Sequence, residues 1–176
     1  MIKNRFLELY YKNGLDGIST TYLCTYCNIS RTIFYRYFDD KYDVLESIEH
    51  EYISLLKEAN DTLRTFPIRA SNNKEELFPF INEVLNVLDQ NRLVYKALLG
   101  PNASNSFALG LKQQIKKDLI GKFEYDQISR DIDFTAEISA ATFVSIYRYW
   151  LLNRADLPKS TIAEMCTKVV LKPLYY

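Results

Sequence analysis

Side chains that can donate several hydrogen bonds are concentrated in one short stretch, Ser19–Phe38. This stretch contains two arginines, Arg31 and Arg36, and no acidic residue. A guanidinium group bonds in a bidentate manner to guanine edges or phosphates, and a hydroxyl bonds to either. Further hydroxyl groups are supplied by Ser30, Thr32, Tyr35 and Tyr37. The stretch therefore predicts a surface that binds nucleic acid, and the alternative is an ordinary polar face of a helical bundle.

Metal, cofactor and enzyme chemistry are weakly supported by the remaining reactive side chains. Cys24 and Cys27 have CxxC spacing, but a structural zinc needs four ligands, and the only other candidates are Cys166 and His50. The chain has no nucleophile-elbow sequence and no glycine-rich phosphate loop. We therefore expect the two cysteines to pack inward, and we predict no metal, no cofactor and no enzymatic activity.

Helical spacing of apolar residues predicts three short helices around the basic stretch. The first helix ends at Gly14. The second spans Thr20–Cys27, and Asn28 ends it because asparagine tolerates the left-handed conformation of a tight turn. The third is capped by Ser30 and runs to about Tyr37. Two short helices joined by a tight turn form a helix-turn-helix, whose second helix enters the major groove of DNA.

The rest of the chain is also predicted to be helical. A long helix follows an N-cap at Asp39-Asp40, and a loop spans residues 64–74. Thr161 and Glu164 have capping-box spacing, which predicts that the last helix begins there. The last five helices are expected near 75–90, 92–99, 105–121, 132–154 and 160–172. No segment has the alternation of a strand, so the predicted fold class is all-α.

The run Ile33-Phe34-Tyr35-Arg36-Tyr37-Phe38, with Lys41 three positions on, is the most specific motif. With Tyr10, Gly14 and Ser19, it closely resembles the TetR family of regulators over about residues 6–48. Leu99-Gly100-Pro101-Asn102 … Phe107 also resembles a branch that contains the dihydroxyacetone kinase operon activator DhaS. The resemblance implies an N-terminal three-helix helix-turn-helix DNA-binding domain, residues 1–45. A C-terminal helical effector-binding and dimerisation domain, residues 46–176, would follow it.

The resemblance also implies roles for single residues. It implies that Thr20, Tyr35 and Lys41 contact phosphates. It also implies that Arg31, Thr32 and Tyr37 contact the edges of bases. The full predicted DNA-binding set is Ser19, Thr20, Thr21, Ser30, Arg31, Thr32, Tyr35, Arg36, Tyr37 and Lys41. The chain departs from the family at Thr21, where a basic residue is usual, and at Asn28, which replaces the turn glycine. Acidic residues nearby and the lack of a basic N-terminal arm favour modest, salt-sensitive affinity.

The segment Phe134–Leu152 is apolar on nearly every side, so more than one surface must cover it. One cover is the protein's own core, and we expect a second copy of the chain to be the other. The alternative is a central helix buried within a monomer. The predicted dimer-interface residues are Phe134, Ile138, Ala141, Ser145, Arg148, Leu152, Ile162, Met165 and Val169. A two-fold homodimer implies a near-palindromic operator on duplex DNA.

Six aromatic residues of the second half are candidates for a ligand pocket, although aromatic side chains are also the usual filling of helical cores. They are Tyr52, Phe80, Tyr95, Phe107, Tyr147 and Trp150. The function predicted from these patterns is a sequence-specific repressor or activator controlled by a small-molecule or protein effector. The alternative is a helical protein–protein interaction module whose DNA-binding head has decayed.

The composition limits where this function takes place. The net charge is zero, which excludes a protein that coats nucleic acids through a large excess of basic residues. A local basic surface on a protein with balanced charge is still compatible with this composition. The odd number of cysteines argues against a disulfide framework. The longest apolar stretch carries Glu137 and Arg148 and is too short to span a membrane. We therefore expect a cytoplasmic protein with no membrane partner.

Overall fold

The computed structural model describes residues 1–64, 74–126 and 131–171. Within these ranges the chain forms α-helices and no strands, which confirms the predicted all-α fold class. The helices are α1 (Ile2–Asn13), α2 (Thr20–Cys27), α3 (Arg31–Phe34), α4 (Lys41–Arg64), α5 (Lys74–Gln90), α6 (Arg92–Leu99), α7 (Ser106–Asp126), α8 (Ile132–Asn153) and α9 (Lys159–Leu171). The predicted boundary between residues 45 and 46 falls inside α4, which is continuous.

The N-terminal part is built on local signals that the sequence makes visible. The Ser19 Oγ accepts a hydrogen bond from the Tyr22 N–H at 3.1 Å and so caps α2. The Ser30 Oγ accepts from the Ile33 N–H at 3.2 Å and caps α3. Asn28, between these helices, has φ 53° and ψ 47°, the left-handed conformation that was predicted for it. These three residues set the direction of the turn in the helix-turn-helix.

The second half is organised around α8. This helix packs along α7 on one side and contacts α6 and α9 on others. Trp150 is almost fully buried, and its indole N–H donates to the Leu157 carbonyl oxygen at 3.1 Å. The guanidinium of Arg92 lies 4.7 Å from the centre of the same ring. Trp150 is therefore a core residue that holds the chain segment after α8 against α6.

Two predicted helix ends and one predicted cap are wrong. The third helix ends at Phe34 and not at Tyr37, and the next residues form turns such as the Tyr37 N–H to Phe34 carbonyl bond of 3.0 Å. Phe34 is buried whereas Tyr35, Arg36 and Tyr37 are exposed, so the three side chains after Phe34 gain little from packing on the core.

The other two corrections concern α7 and α9. Helix α7 continues to Asp126, past the predicted end at 121, because Lys122 and Phe123 are buried and extend its inward face. Helix α9 begins at Lys159, so Thr161 lies in its first turn and is not the cap. The Pro158 carbonyl accepts from the Thr161 N–H instead, at 3.0 Å. The predicted loop at 64–74 lies, except at its ends, outside the described residues.

We predict that the conformation of Asn28, and not its side chain, is what the turn requires. Asn28→Val should lower the free energy of unfolding by about 1–2 kcal/mol, because a β-branched residue is strained at positive φ. Asn28→Gly should leave stability nearly unchanged, because glycine adopts this conformation without strain. Urea unfolding followed by circular dichroism measures both variants. Equal losses in the two would show that the amide side chain is essential.

Candidate nucleic-acid interface

The helices of the helix-turn-helix pack on a small set of buried apolar side chains. Leu23, Cys24 and Cys27 of α2 and Phe34 of α3 are all buried. Because these side chains point inward, the opposite sides of α3 and the following turns face solvent. Of the ten predicted DNA-binding residues, Thr20 and Lys41 are half-buried and the other eight are exposed. The structure therefore places most of the predicted set on the surface of one small unit.

Arg31 is held in place before any DNA is bound. Its guanidinium donates a hydrogen bond to the Oγ1 of Thr21, across the turn from α3 to α2. Thr21 occupies the position where the resemblance leads one to expect a basic residue. In this chain its hydroxyl orients an arginine instead. This pairing joins the two helices of the motif on their exposed side.

Three other members of the predicted set already have structural partners. The side-chain oxygens of Ser19 and Ser30 cap α2 and α3, as described above. The ammonium group of Lys41 donates to the Leu15 carbonyl at 2.9 Å and lies 5.3 Å from the centre of the Tyr42 ring. Lys41 therefore anchors the segment between α1 and α2 to the beginning of α4.

The acidic residues that follow the helix-turn-helix form hydrogen bonds at the start of α4. The Asp40 carboxylate accepts from the Tyr42 N–H at 2.8 Å and from the Asp43 N–H at 2.9 Å, so it caps α4 as predicted. The Asp43 carboxylate accepts in turn from the Asp39 N–H at 2.9 Å. Carboxylates at a helix N-terminus are favoured by the helix dipole. Their position is thus explained by the start of α4.

Exposed tyrosines extend the surface beyond the predicted set. Tyr22 and Tyr42 are 45% and 56% exposed, and sequence reasoning did not single them out. The signal available for Tyr42 was its place beside Lys41 in the first turn of a capped helix. Tyr26 is different, because its hydroxyl donates to Glu8 at 2.8 Å and Arg5 lies over its ring. The hydrogen bond from Tyr26 lowers the pKa of Glu8.

The cysteines lie in packed positions. Cys24 and Cys27 are free thiols on the inward face of α2, and Cys166 is buried in α9. Burial raises the pKa of Cys27, and it raises the pKa of Cys166 to about 12, so both thiols stay protonated at neutral pH. Across the described ranges, no three His, Cys, Asp or Glu side chains are arranged to hold a metal ion.

The segment between α6 and α7 docks onto the end of α1. The Asn102 side-chain amide donates to the carbonyl oxygens of Tyr11 at 3.1 Å and Lys12 at 3.3 Å. The Tyr10 hydroxyl accepts from the Ser104 N–H at 2.7 Å. Gly14, with φ 66°, leaves room for the approach, since a Cβ there would lie 3.1 Å from the Asn102 carbonyl oxygen. The loop thereby joins the second half to the helix-turn-helix unit.

The same loop contacts α4 through a chain of hydroxyl groups. The Ser104 and Ser106 hydroxyl oxygens are 2.7 Å apart, and the Ser106 hydroxyl donates to the Glu49 carboxylate. Burial raises the pKa of Glu49, while the hydrogen bond from Ser106 acts in the opposite direction. The half-buried carboxylate therefore lies where α1, α4 and α7 are brought together.

A cavity of about 50 Å³ lies between α4, α5, α7 and α8. Its lining residues are Leu56, Lys57, Asn60, Phe80, Ile81, Val84, Leu111, Gln114, Ile115, Asp118, Leu119, Phe143 and Tyr147. Only Phe80 and Tyr147 come from the predicted pocket set. The charged and amide lining residues, Lys57, Asn60, Gln114 and Asp118, are absent from the predicted set, which contains aromatic residues alone. The repeating polar residues on the inward side of α7 were the available signal.

The other four predicted pocket residues lie elsewhere. Tyr95 and Phe107 are fully buried against each other with ring centres 6.0 Å apart, and Trp150 belongs to the core described above. Tyr52 packs edge-on against Tyr95 and lines a separate groove between α1, α4 and α6. Burial raises the pKa of Tyr95 above its ordinary range. The six predicted pocket residues therefore lie in three different places: the cavity, the groove and the core.

The predicted dimer-interface residues lie on the solvent-facing sides of α8 and α9, with one exception. Phe134 is 62% exposed and Ile138 is 53% exposed on α8, and Met165 is 44% exposed on α9. Ala141, Ser145 and Arg148 are also exposed, and Leu152 and Val169 are half-buried. Ile162 is buried in the protomer's own core, because α9 turns this side toward the inside of its own chain.

We predict that the charge on Glu49 lowers stability. Its pKa is raised from the ordinary 4.5 in the folded protein, so stability should fall as pH rises through the interval above that value. Glu49→Gln keeps an acceptor for Ser106 and removes the charge. It should therefore raise the free energy of unfolding at pH 7 by less than about 1 kcal/mol, and give no gain at pH values below 4.5. Glu58→Gln, an exposed change on the same helix, is the control in urea unfolding. A gain that persists in acid would contradict this origin.

Comparison with known proteins identifies the family. A TetR family model described as "Transcriptional regulator C-terminal region" matches residues 75–172, more than half of the chain. No curated protein sequence matches the chain. None of the helices in the described ranges is long and apolar enough to cross a membrane.

Several solved structures share the fold. A TetR-family transcriptional regulator from Syntrophomonas wolfei has a TM-score of 0.70 at 14% identity, over 96% of this chain and 90% of that one. The TetR-family regulator PfmR from Thermus thermophilus has a TM-score of 0.68 at 15% identity, over 96% and 93%. The dihydroxyacetone kinase operon activator DhaS has a TM-score of 0.61 at 20% identity, over 98% and 93%. With the family match and the shared fold, the chain belongs to the TetR family of transcriptional regulators.

Proposed function

We propose that this DNA-binding transcriptional regulator reads a near-palindromic operator as a homodimer and releases it when an effector binds in its second half. The observation that carries the proposal is the exposed surface at Arg31–Tyr37, which contains two arginines and no acidic residue. Such a surface matches the donors and acceptors of a major groove. The proposed output is repression by occupancy of the operator. In this scheme residues 1–45 bind DNA, and residues 46–176 dimerise and bind the effector.

Base reading is assigned to Arg31, with Thr32 and Tyr37 beside it. The bond from Arg31 to Thr21 supports this role, because an arginine that is already oriented loses less conformational entropy on binding. Phosphate contacts are assigned to Thr20, Tyr35 and Lys41. Thr20 is the first residue of α2, where backbone N–H groups and the helix dipole favour an anion.

Dimerisation is assigned to the exposed apolar face of α8 with Met165 of α9. The opposite face of α8 is buried by the protein's own core, so this helix has one side covered and one side open, on which Phe134 and Ile138 lie exposed. A second copy of the same face covers it most simply, since a two-fold interface is self-complementary. Two copies would present two helix-turn-helix units, which explains the expected palindrome.

Effector control is assigned to the cavity and to the loop that joins it to α1. Helices α4 and α7 both line the cavity. At its other end, α7 continues from the loop that bonds to Tyr10, Tyr11 and Lys12 of α1. An effector that separates α4 from α7 would therefore move the helix-turn-helix relative to the dimer face. This changes the spacing of the two units and favours a population that does not fit the operator.

The proposal predicts that Arg31 supplies specific affinity. DNA from upstream of the protein's own gene and scrambled DNA are compared by fluorescence anisotropy, at about 50 and about 200 mM salt. Arg31→Ala should cost about 1–3 kcal/mol of binding free energy and reduce the preference for the specific DNA. Arg154→Ala, an exposed arginine of the second half, is the matched control and should bind as the native protein does.

The same measurement decides between the proposal and the alternative of a protein–protein interaction module with a decayed head. Specific binding that weakens with salt and drops in Arg31→Ala supports a functional operator-binding unit. Feeble binding that is equal on both DNAs and the same in the variant, for all fragments of a genome-wide selection, favours the interaction module.

The dimer assignment predicts that a charge on the α8 face separates the subunits. Ile138→Lys should sediment as a monomer at concentrations where the native protein is a dimer, because an ammonium group cannot be buried unpaired in an apolar interface. Leu93→Lys is the control, since Leu93 is 83% exposed on α6, outside this face. Sedimentation velocity measures both, and a dimeric Ile138→Lys would assign the interface to another surface.

A further inference from the structure

The cavity between α4, α5, α7 and α8 is apolar along most of its wall. Leu56, Val84 and Phe143, from three of the four helices, represent this part of the lining. Its charged and amide residues are Lys57, Asn60, Gln114 and Asp118, and Tyr147 of α8 is also part of the lining. The charged and amide residues come from α4 and α7 alone. The cavity therefore has an apolar body and one polar side, the arrangement of a site for an amphipathic molecule.

Asp118 is the charged group of this polar side that is taken out of water. The residue is only 7% exposed, whereas Lys57 is exposed. One carboxylate oxygen accepts from the Gln114 side-chain amide at 3.0 Å, and the other accepts from the Asn60 amide at 3.5 Å. Both donors are neutral. The two bonds orient the carboxylate and supply no opposing charge.

The neighbouring cations differ from Asp118 in their position. The side chain of Lys57 is exposed to solvent, so water and salt screen the electric field of its ammonium group. Lys122 is buried one turn further along α7, but it does not line the cavity. An electrostatic interaction is strengthened when it takes place away from water. Of the described charged residues near the cavity, Asp118 is thus the one that is both buried and part of the cavity wall.

We propose that this cavity binds a small amphipathic cation, with a short alkyl group in the apolar body and an ammonium or amidinium group at the Asp118 carboxylate. The inference names the chemical class of the effector and so rests on the proposed function for its regulatory meaning. The binding site itself is independent of that function. A charge-assisted hydrogen bond to Asp118 provides the specificity, and burial of the hydrocarbon provides the rest of the affinity.

The test uses three probes that share one hydrocarbon group and differ in the head: n-butylammonium, 1-butanol and butyrate. Each is titrated into the whole native chain at pH 7 by isothermal titration calorimetry. The ammonium ion should bind at least about tenfold more tightly than the alcohol, and butyrate more weakly than both. Equal affinities, tighter binding of butyrate, or no binding of the ammonium ion would overturn the proposal. This comparison requires no variant, so it does not depend on how a substitution folds.

Two variants test the assignment to Asp118. Asp118→Asn keeps the size of the side chain and removes its charge, so it should abolish the preference for n-butylammonium over 1-butanol. Glu124→Gln makes the same change in charge at an exposed position of α7 and should retain the preference. Circular dichroism verifies that both variants are folded. A folded Asp118→Asn protein that still prefers the ammonium ion would overturn the assignment.

Measurement of operator affinity with and without n-butylammonium separates this inference from the proposed function. If n-butylammonium binds and lowers the affinity of the protein for its operator, the result supports both the cation site and the proposed effector control. Binding that leaves operator affinity unchanged supports the cation site and contradicts effector control through this cavity. If the probes bind without regard to the head while operator binding is specific, the cation site is wrong and the DNA-binding function stands.

Discussion

One continuous helix, α4, connects the helix-turn-helix unit to the rest of the protein. Its first turn is capped by Asp40, and Lys41 ties it to the Leu15 carbonyl. Val44 and Ile48 are buried near this end, and Leu56 lines the cavity further on. A helix of 24 residues is about 36 Å long and bends little, so the orientation of one end depends on how the other is packed. The geometry of the DNA-binding surface is thus coupled to the core of the second half.

The loop between α6 and α7 provides a second connection between the same two parts. Asn102 and Ser104 bond to α1, and Ser106 bonds to Glu49 of α4. Two connections of different kinds make the arrangement more specific than one, because α1 must satisfy both its packing on α4 and its bonds to the loop. The half-buried carboxylate at this meeting point is a cost to stability that the surrounding hydrogen bonds partly offset.

The charged residues of this protein matter through their positions and not through the net charge. The chain has no net charge, yet the surface at Arg31–Tyr37 lacks acidic residues. The nearby carboxylates of Asp40 and Asp43 are used to begin α4. In the second half, the Asp118 carboxylate lines a partly apolar cavity and accepts hydrogen bonds from the neutral amides of Asn60 and Gln114. Screening by solvent makes the position of each charge, and not the total, the quantity that matters for binding.

Structural elements that depend on short-range interactions could be predicted from the amino-acid sequence. The cap at Ser30 and the left-handed turn at Asn28 were predicted because each involves a few neighbouring residues. Most helices were predicted from the spacing of their apolar residues. Long-range packing sets three other features: the end of α3 at Phe34, the burial of Ile162 and the bond between Arg31 and Thr21. It also forms the cavity, whose polar side joins Asn60 of α4 to Asp118 of α7. Residues far apart in the chain become neighbours only through packing, and no local pattern specifies which of them meet.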